Sequence, residues 1–156
     1  MLISESDLIH AVAADRSSGR TIAFANGCFD LLHVGHVRYL HAAAQEADRL
    51  IVAVNDDRSV AALKGPGQPV LPATDRAELV ASLRDVDYVV IFGEPTVERL
   101  LRTLTPDVHC KGTDYTVDTV PEREVVRGYG GRTVIVGDAK THATRDLIAR
   151  IRRMSS

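Results

Sequence analysis

The chain is 156 residues long, 45% apolar and 26% charged, with a formal net charge of -2. That length fits one domain able to bury a core without disulfide or metal staples, and the near-neutral charge argues against nucleic-acid backbone or anionic lipid as a general partner. Cys28 and Cys110 form neither a close pair nor a zinc-like cluster, and no apolar stretch is long enough to cross a bilayer, so a reducing, cytoplasmic setting without disulfide or membrane contact is expected.

Residues 5–15 place Leu8, Ile9 and Val12 on one face and end at Ser17, Ser18 and Gly19, which predicts a first helix. Residues 1–20 are therefore read as an N-terminal helix and 21–156 as the main domain. Short apolar runs follow at 21–25, 49–54, 87–92, 107–110 and 132–136. All but 107–110, which has the weakest pattern, are β-branched and continuously apolar, as strands covered on both faces are. Between them lie helix-period segments at 35–47, with Val37, Leu40, Ala44 and Ala47 along one stripe, and at 73–83, 95–104 and 143–154. Repeated β-α-β units predict a doubly wound α/β domain with about five parallel strands flanked by helices. Its ligands belong in the loops at the carboxyl ends of the strands. Residues 64–72, KGPGQPVLP, read as a mobile surface loop.

The loop after the first strand, NGCFDLLHVGH from Asn26 to His36, is the most informative stretch. It opens a helix near Gly35, and a helix N-terminus offers unpaired N–H groups and partial positive charge to a phosphate. Gly27 and Gly35 let backbone approach a ligand, and His33 and His36, three residues apart, project from the same side of the first turn. A zinc site is the competing reading, but no third ligand is evident nearby. The G-x-G-x-x-G pattern of dinucleotide binders is missing. The other histidines, His10, His41, His109 and His142, read as solvated or packing residues.

These residues resemble the H-x-G-H nucleotidyltransferase superfamily in its cytidylyltransferase-like branch. With RLIVAVNDD, LKG, VDYVVIF and PDVHCKGTDY, the chain is similar to the adenylyltransferase domain of bifunctional heptose-phosphate enzymes and to stand-alone heptose 1-phosphate adenylyltransferases. The resemblance runs from about Thr21 to Met154. It implies a Rossmann-like fold and transfer of AMP from ATP to a heptose 1-phosphate with release of pyrophosphate. The alternatives are a CTP-dependent cytidylyltransferase for glycerol 3-phosphate or a similar alcohol phosphate, and a non-catalytic nucleotide-binding module.

The same resemblance assigns catalytic roles to His33, His36 and Lys64. It places Asn26, Gly27, Cys28, Phe29, Gly35, Lys111, Gly112, Asp114 and Thr144 around the nucleotide, and Asp30, Lys64 and Arg76 on the acceptor. Lys64 is assigned to a loop that closes over polyphosphate. Arg76 is read either as a phosphate ligand or as a salt-bridge partner of Asp75 or Glu78, and Asp114 either as a sugar ligand or as an Asx-turn. Thr113 stands where the heptose group has a second glycine, and Ala143 where a serine is usual, leaving Thr144 as a nucleotide contact or a helix cap. Mg²⁺ is implied as a companion of ATP, with no protein metal ligand assigned. A homodimer and a separate sugar kinase supplying the acceptor complete the expectations.

Overall fold

A computed structural model describes residues 1–139 and 143–155; His142 lies outside the described residues. The strands are β1 (Ile22–Gly27), β2 (Arg49–Asn55), β3 (Tyr88–Phe92), β4 (Val108–Lys111) and β5 (Arg132–Ile135). They form one parallel sheet in the order β3-β2-β1-β4-β5. The helices are α1 (Glu5–Ser17), α2 (Val34–Ala44), α3 (Asp57–Lys64), α4 (Ala73–Ala81), α5 (Glu98–Leu104), α6 (Arg123–Gly128) and α7 (Thr144–Met154). All five strands are where the apolar runs predict them, including the weakly patterned β4. Three departures stand out. Helices α3 and α6 are short and polar enough to escape the periodicity, and a 3-10 turn spans Val117–Thr119.

Because the strands are parallel, both faces of the sheet are covered, which is why their residues are apolar at consecutive positions. On one face Ala23, Ala25, Val52 and Val54 pack with Leu40 and Ala43 of α2 and Ala77 and Val80 of α4. On the other, Ile22, Phe24, Ile51 and Ala53 pack with Leu8 and Val12 of α1, Leu100, Leu101 and Leu104 of α5, and Val126 of α6. Ile9 and Val37, expected on the buried stripes, are 39% exposed, because each helix rests on the sheet along a narrower line than its apolar pattern offers. Helix α7 is more open still. Thr144 is its only buried residue, while Ile151 and Met154 lie in solvent.

The amino edge of the sheet is held by a repeated device. Asp48, Asp87 and Asp107 each immediately precede a strand, and each accepts a backbone N–H at the start of a neighbouring strand: Thr21 at 2.8 Å, Leu50 at 2.8 Å and Ile22 at 2.8 Å respectively. These carboxylates pin strand register at the end opposite the loops of interest. There the chain order reverses: β1 is followed outward by β2 and β3 on one side, and by β4 and β5 on the other. The carboxyl ends of β1 and β4 therefore diverge into a crevice, the usual ligand position in such sheets.

Candidate active site

A cavity of about 630 Å³ fills that crevice. It is floored by Asn26, Gly27 and Cys28 from the end of β1 and by Lys111 and Gly112 from the end of β4. The α2 N-terminus contributes His33, Gly35 and His36, and the α7 N-terminus contributes Ala143, Thr144 and Arg145. Phe29, Lys64 and Asp114 complete the residues that the sequence places there.

His33 is the N-cap of α2, with extended backbone at φ -133°. Its Nδ1 accepts the Gly35 N–H at 3.1 Å, and the Nδ1 of His36 accepts the His33 N–H at 3.2 Å. Two backbone donors of the helix end are thus satisfied by imidazoles, in a reciprocal arrangement of the capping-box kind. The consequence is chemical. A ring whose Nδ1 accepts a hydrogen bond carries its proton on Nε2, so both neutral imidazoles are set as Nε2–H donors. The rings stack with centroids 3.9 Å apart, which aims them together.

The loop that carries them is strained and braced. Phe29 and Leu31 have φ of 52° and 47°, in the left-handed region that costs a side-chain-bearing residue about 1–3 kcal/mol. Phe29 is buried, with its ring edge-on to His36 and stacked on Tyr39. Asp30 and Arg76 form the brace, and both depart from the acceptor-binding role expected of them. Asp30 is 1% exposed, and its carboxylate accepts the N–H groups of Val70 at 2.6 Å and Leu71 at 3.0 Å. Arg76 is fully buried and donates to the carbonyls of Leu71 and Cys28, at 2.9 and 2.5 Å, and to Asp57 at 2.8 Å. Neither lines the cavity. Asp75 and Glu78, the partners expected for Arg76 on sequence spacing, lie on its own helix; the partner it takes, Asp57, comes from the first turn of α3.

Lys64 does reach the cavity, as the exposed last residue of α3 rather than from a loop; the helix ends at Gly65, φ 94°. The segment beyond it is anchored at Val70 and Leu71, whose N–H groups donate to the Asp30 carboxylate. Lys111 is largely buried at the end of β4, its Nζ 4.8 Å from the Tyr115 ring centroid. Burial lowers its pKa, partly countered by Glu122. Burial also raises the Cys28 thiol, against the pull of Lys64 and Arg76, so Cys28 sits in the cavity as a protonated side chain rather than a thiolate nucleophile. Cys28 and Cys110 are both free.

The two departures from the family pattern have local explanations. Thr113 uses its hydroxyl to donate to the Asp138 carbonyl at 2.9 Å, joining the loop after β4 to the loop after β5. Ala143 is the α7 N-cap without any side-chain hydrogen bond, and Thr144 turns inward to donate to the Asp30 carbonyl at 2.7 Å. Thr144 is therefore a tie between α7 and the first loop and not the cap. Sequence reasoning missed Arg38, Tyr39, Tyr115, Gly137, Asp138 and Arg145, which also line the cavity. Tyr39 donates to the Cys110 carbonyl at 2.6 Å, and a side chain at Gly137, φ 91°, would approach the Tyr39 backbone to 3.4 Å. A glycine two residues after the last strand was the available signal for that loop. Among the described residues no group of three His, Cys, Asp or Glu side chains is placed to hold a metal ion, and no helix is long and apolar enough to cross a membrane.

A doubly wound parallel sheet whose first loop aims an H-x-G-H pair into a lysine-flanked cavity defines a nucleotidyltransferase domain. The chain belongs to the cytidylyltransferase-like family, whose model matches residues 24–154. It is 45% identical over 151 residues to "Bifunctional protein HldE" of Ectopseudomonas mendocina (strain ymp), and 49% identical over 151 residues to the protein of that name from Gluconacetobacter diazotrophicus. Each alignment covers 97% of this chain, against 32% and 31% of the relative, so the chain spans about a third of the length of these curated relatives. Among solved structures it is similar to the lipopolysaccharide core biosynthesis protein from Thermoplasma volcanium GSS1, with a TM-score of 0.67 and 26% identity over 78% of this chain and 100% of that one.

Proposed function

We propose that the protein is a heptose 1-phosphate adenylyltransferase, transferring AMP from ATP to the sugar phosphate and releasing pyrophosphate. The observation that carries this reading is the pair of Nε2–H donors fixed by the reciprocal cap of His33 and His36. In this reaction an oxygen of the acceptor phosphate forms a bond to the α-phosphorus, and the bond from that phosphorus to the β-bridging oxygen breaks. The acceptor oxygen is already anionic near neutral pH and needs no strong base. The protein's work is alignment and stabilisation of charge that grows on the α-phosphoryl oxygens and the leaving group.

His33 and His36 hydrogen-bond those oxygens through their Nε2–H groups. Lys64, on its helix end at the cavity mouth, neutralises the β- and γ-phosphates as a compact cation. Lys111 places a second, partly desolvated cation at the floor, where its field is weakly screened. Mg²⁺ would be held mainly through the phosphates of ATP and water, because no cage of side chains for it is present among the described residues, and it would supply charge neutralisation on the pyrophosphate. Asp114 faces the ligand's sugar hydroxyls. The acceptor is the product of a sugar-kinase reaction, and the working form is a cytoplasmic homodimer.

Similarity to bifunctional HldE proteins and to a lipopolysaccharide core biosynthesis protein supports the heptose reading, and membership of the cytidylyltransferase-like family supports a second one, CTP-dependent transfer to an alcohol phosphate such as glycerol 3-phosphate. The uncapped α7 N-terminus at Ala143 is the foothold of a third, a nucleotide-binding module without turnover. Pyrophosphate release with each pairing of ATP or CTP and heptose 1-phosphate or glycerol 3-phosphate separates them. Turnover with ATP and the heptose is expected. Turnover with CTP and glycerol 3-phosphate alone would establish the second reading, and tight nucleotide binding with no turnover in any pairing the third.

A further inference from the structure

His109 belongs to no part of the mechanism above, yet it is a polar ring with no exposed surface in the middle of the sheet. It lies opposite Phe24 in the β1–β4 register, with its ring edge-on to that phenylalanine at 5.9 Å between centroids. Two residues further along β1, on the same face, is Asn26, which lines the cavity. The Nε2 of His109 is 2.9 Å from the Asn26 Oδ1, while its Nδ1 is buried with no partner among the described residues. A buried N–H without an acceptor is a costlier vacancy than an unused lone pair. The proton therefore sits on Nε2 and is donated to Asn26. Burial and the neighbouring Lys111 keep the ring neutral, with a pKa lowered to about 3, so this state persists throughout the physiological range.

We infer that His109 is a positioning residue for the nucleotide: by holding the Asn26 oxygen inward, it turns the amide NH₂ toward an acceptor oxygen of the bound triphosphate. An asparagine amide is nearly symmetric in shape, and either end fits the same space. Only its hydrogen bonds decide whether it offers a donor or an acceptor. Facing an anion, the donor end attracts and the acceptor end repels. The backbone places Asn26 at the cavity, and a residue 83 positions away selects which of its ends the ligand meets.

The inference rests on the cavity being a nucleotide site, so the test begins with ATP affinity of the wild-type protein by calorimetry; no measurable binding of ATP or CTP would overturn both readings at once. Given binding, His109→Leu is expected to weaken ATP roughly five- to tenfold. His109→Gln, which restores a donor to Asn26, is expected to bind ATP within about twofold of wild type. Asn26→Asp places an acceptor toward the phosphates whatever residue 109 does, so its large loss is expected to deepen little when His109→Leu is added. His109→Phe keeps a ring against Phe24 without a donor and carries the comparison if the leucine variant does not fold. A purely structural histidine predicts a different pattern. The leucine, phenylalanine and glutamine variants would lower Tm with ATP affinity unchanged, or would lose affinity alike, and either result overturns the inference.

Discussion

Burial of His109 makes stability depend on pH in a way that can be isolated. The folded ring has a pKa lowered to about 3 by desolvation, whereas an unfolded histidine titrates near about 6.5. Between those values the unfolded chain binds a proton that the folded chain does not. Its contribution is therefore intact above the unfolded pKa and is lost as pH falls below it, at up to about 1.4 kcal/mol per pH unit. Between pH 7.5 and 5.5 that loss integrates to about 1.4 kcal/mol, roughly a tenth to three-tenths of the net stability of an ordinary domain. Urea denaturation of wild type and His109→Leu at both pH values reads it directly, because the remaining histidines are common to the two proteins and cancel in the comparison. The wild type is expected to lose about 1.4 kcal/mol more than the variant on acidification. Parallel losses in the two proteins would refute the reasoning, since they would mean that the imidazole gains its proton in the folded state as readily as in the unfolded one.

His33→Ala and His36→Ala are each expected to lower kcat roughly a hundredfold while the fold is retained, and His33→Ala also to cost about 1 kcal/mol through loss of the α2 cap; near-normal turnover with the preferred substrate pair would sink the donor role. Arg76→Met leaves the carbonyls of Leu71 and Cys28 without their buried donor, at about 1–3 kcal/mol for each unsatisfied group. A denaturation midpoint that does not move would show that Arg76 is no brace. In Gly93→Ala the new Cβ would lie 2.6 Å from the Asp56 carboxylate that caps α3 through the Ser59 N–H. A loss of about 1 kcal/mol is expected, and an unchanged Tm would contradict it. Arg145 has no ion-pair partner among the described residues and sits in the first turn of α7, where a cation opposes the helix dipole. Arg145→Ala is expected to raise KM for the nucleotide without lowering Tm; an unchanged KM would remove Arg145 from the phosphate site.

What the chain determined locally was the alternation of strand and helix, because a parallel sheet covered on both faces demands continuous β-branched runs, and those runs are visible without any partner. The first loop was equally legible. Its glycines and paired histidines lie within eleven consecutive residues, so the helix end that lines the cavity was readable from spacing alone. The tertiary structure decided everything that depends on a second segment. The family resemblance puts Asp30 on the acceptor and leaves Arg76 between a phosphate and a salt bridge to its own helix, but the fold brings the amides of Val70 and Leu71 to one and the carboxylate of Asp57 to the other, and both charges hold the loop. Lys64 belonged to a helix whose few apolar residues gave no clear period. His109 and Asn26, 83 residues apart, meet only because β4 pairs with β1. Hydrogen-bond partners across a sheet are set by strand order, and strand order is a property of the whole packed core that no short window of residues contains.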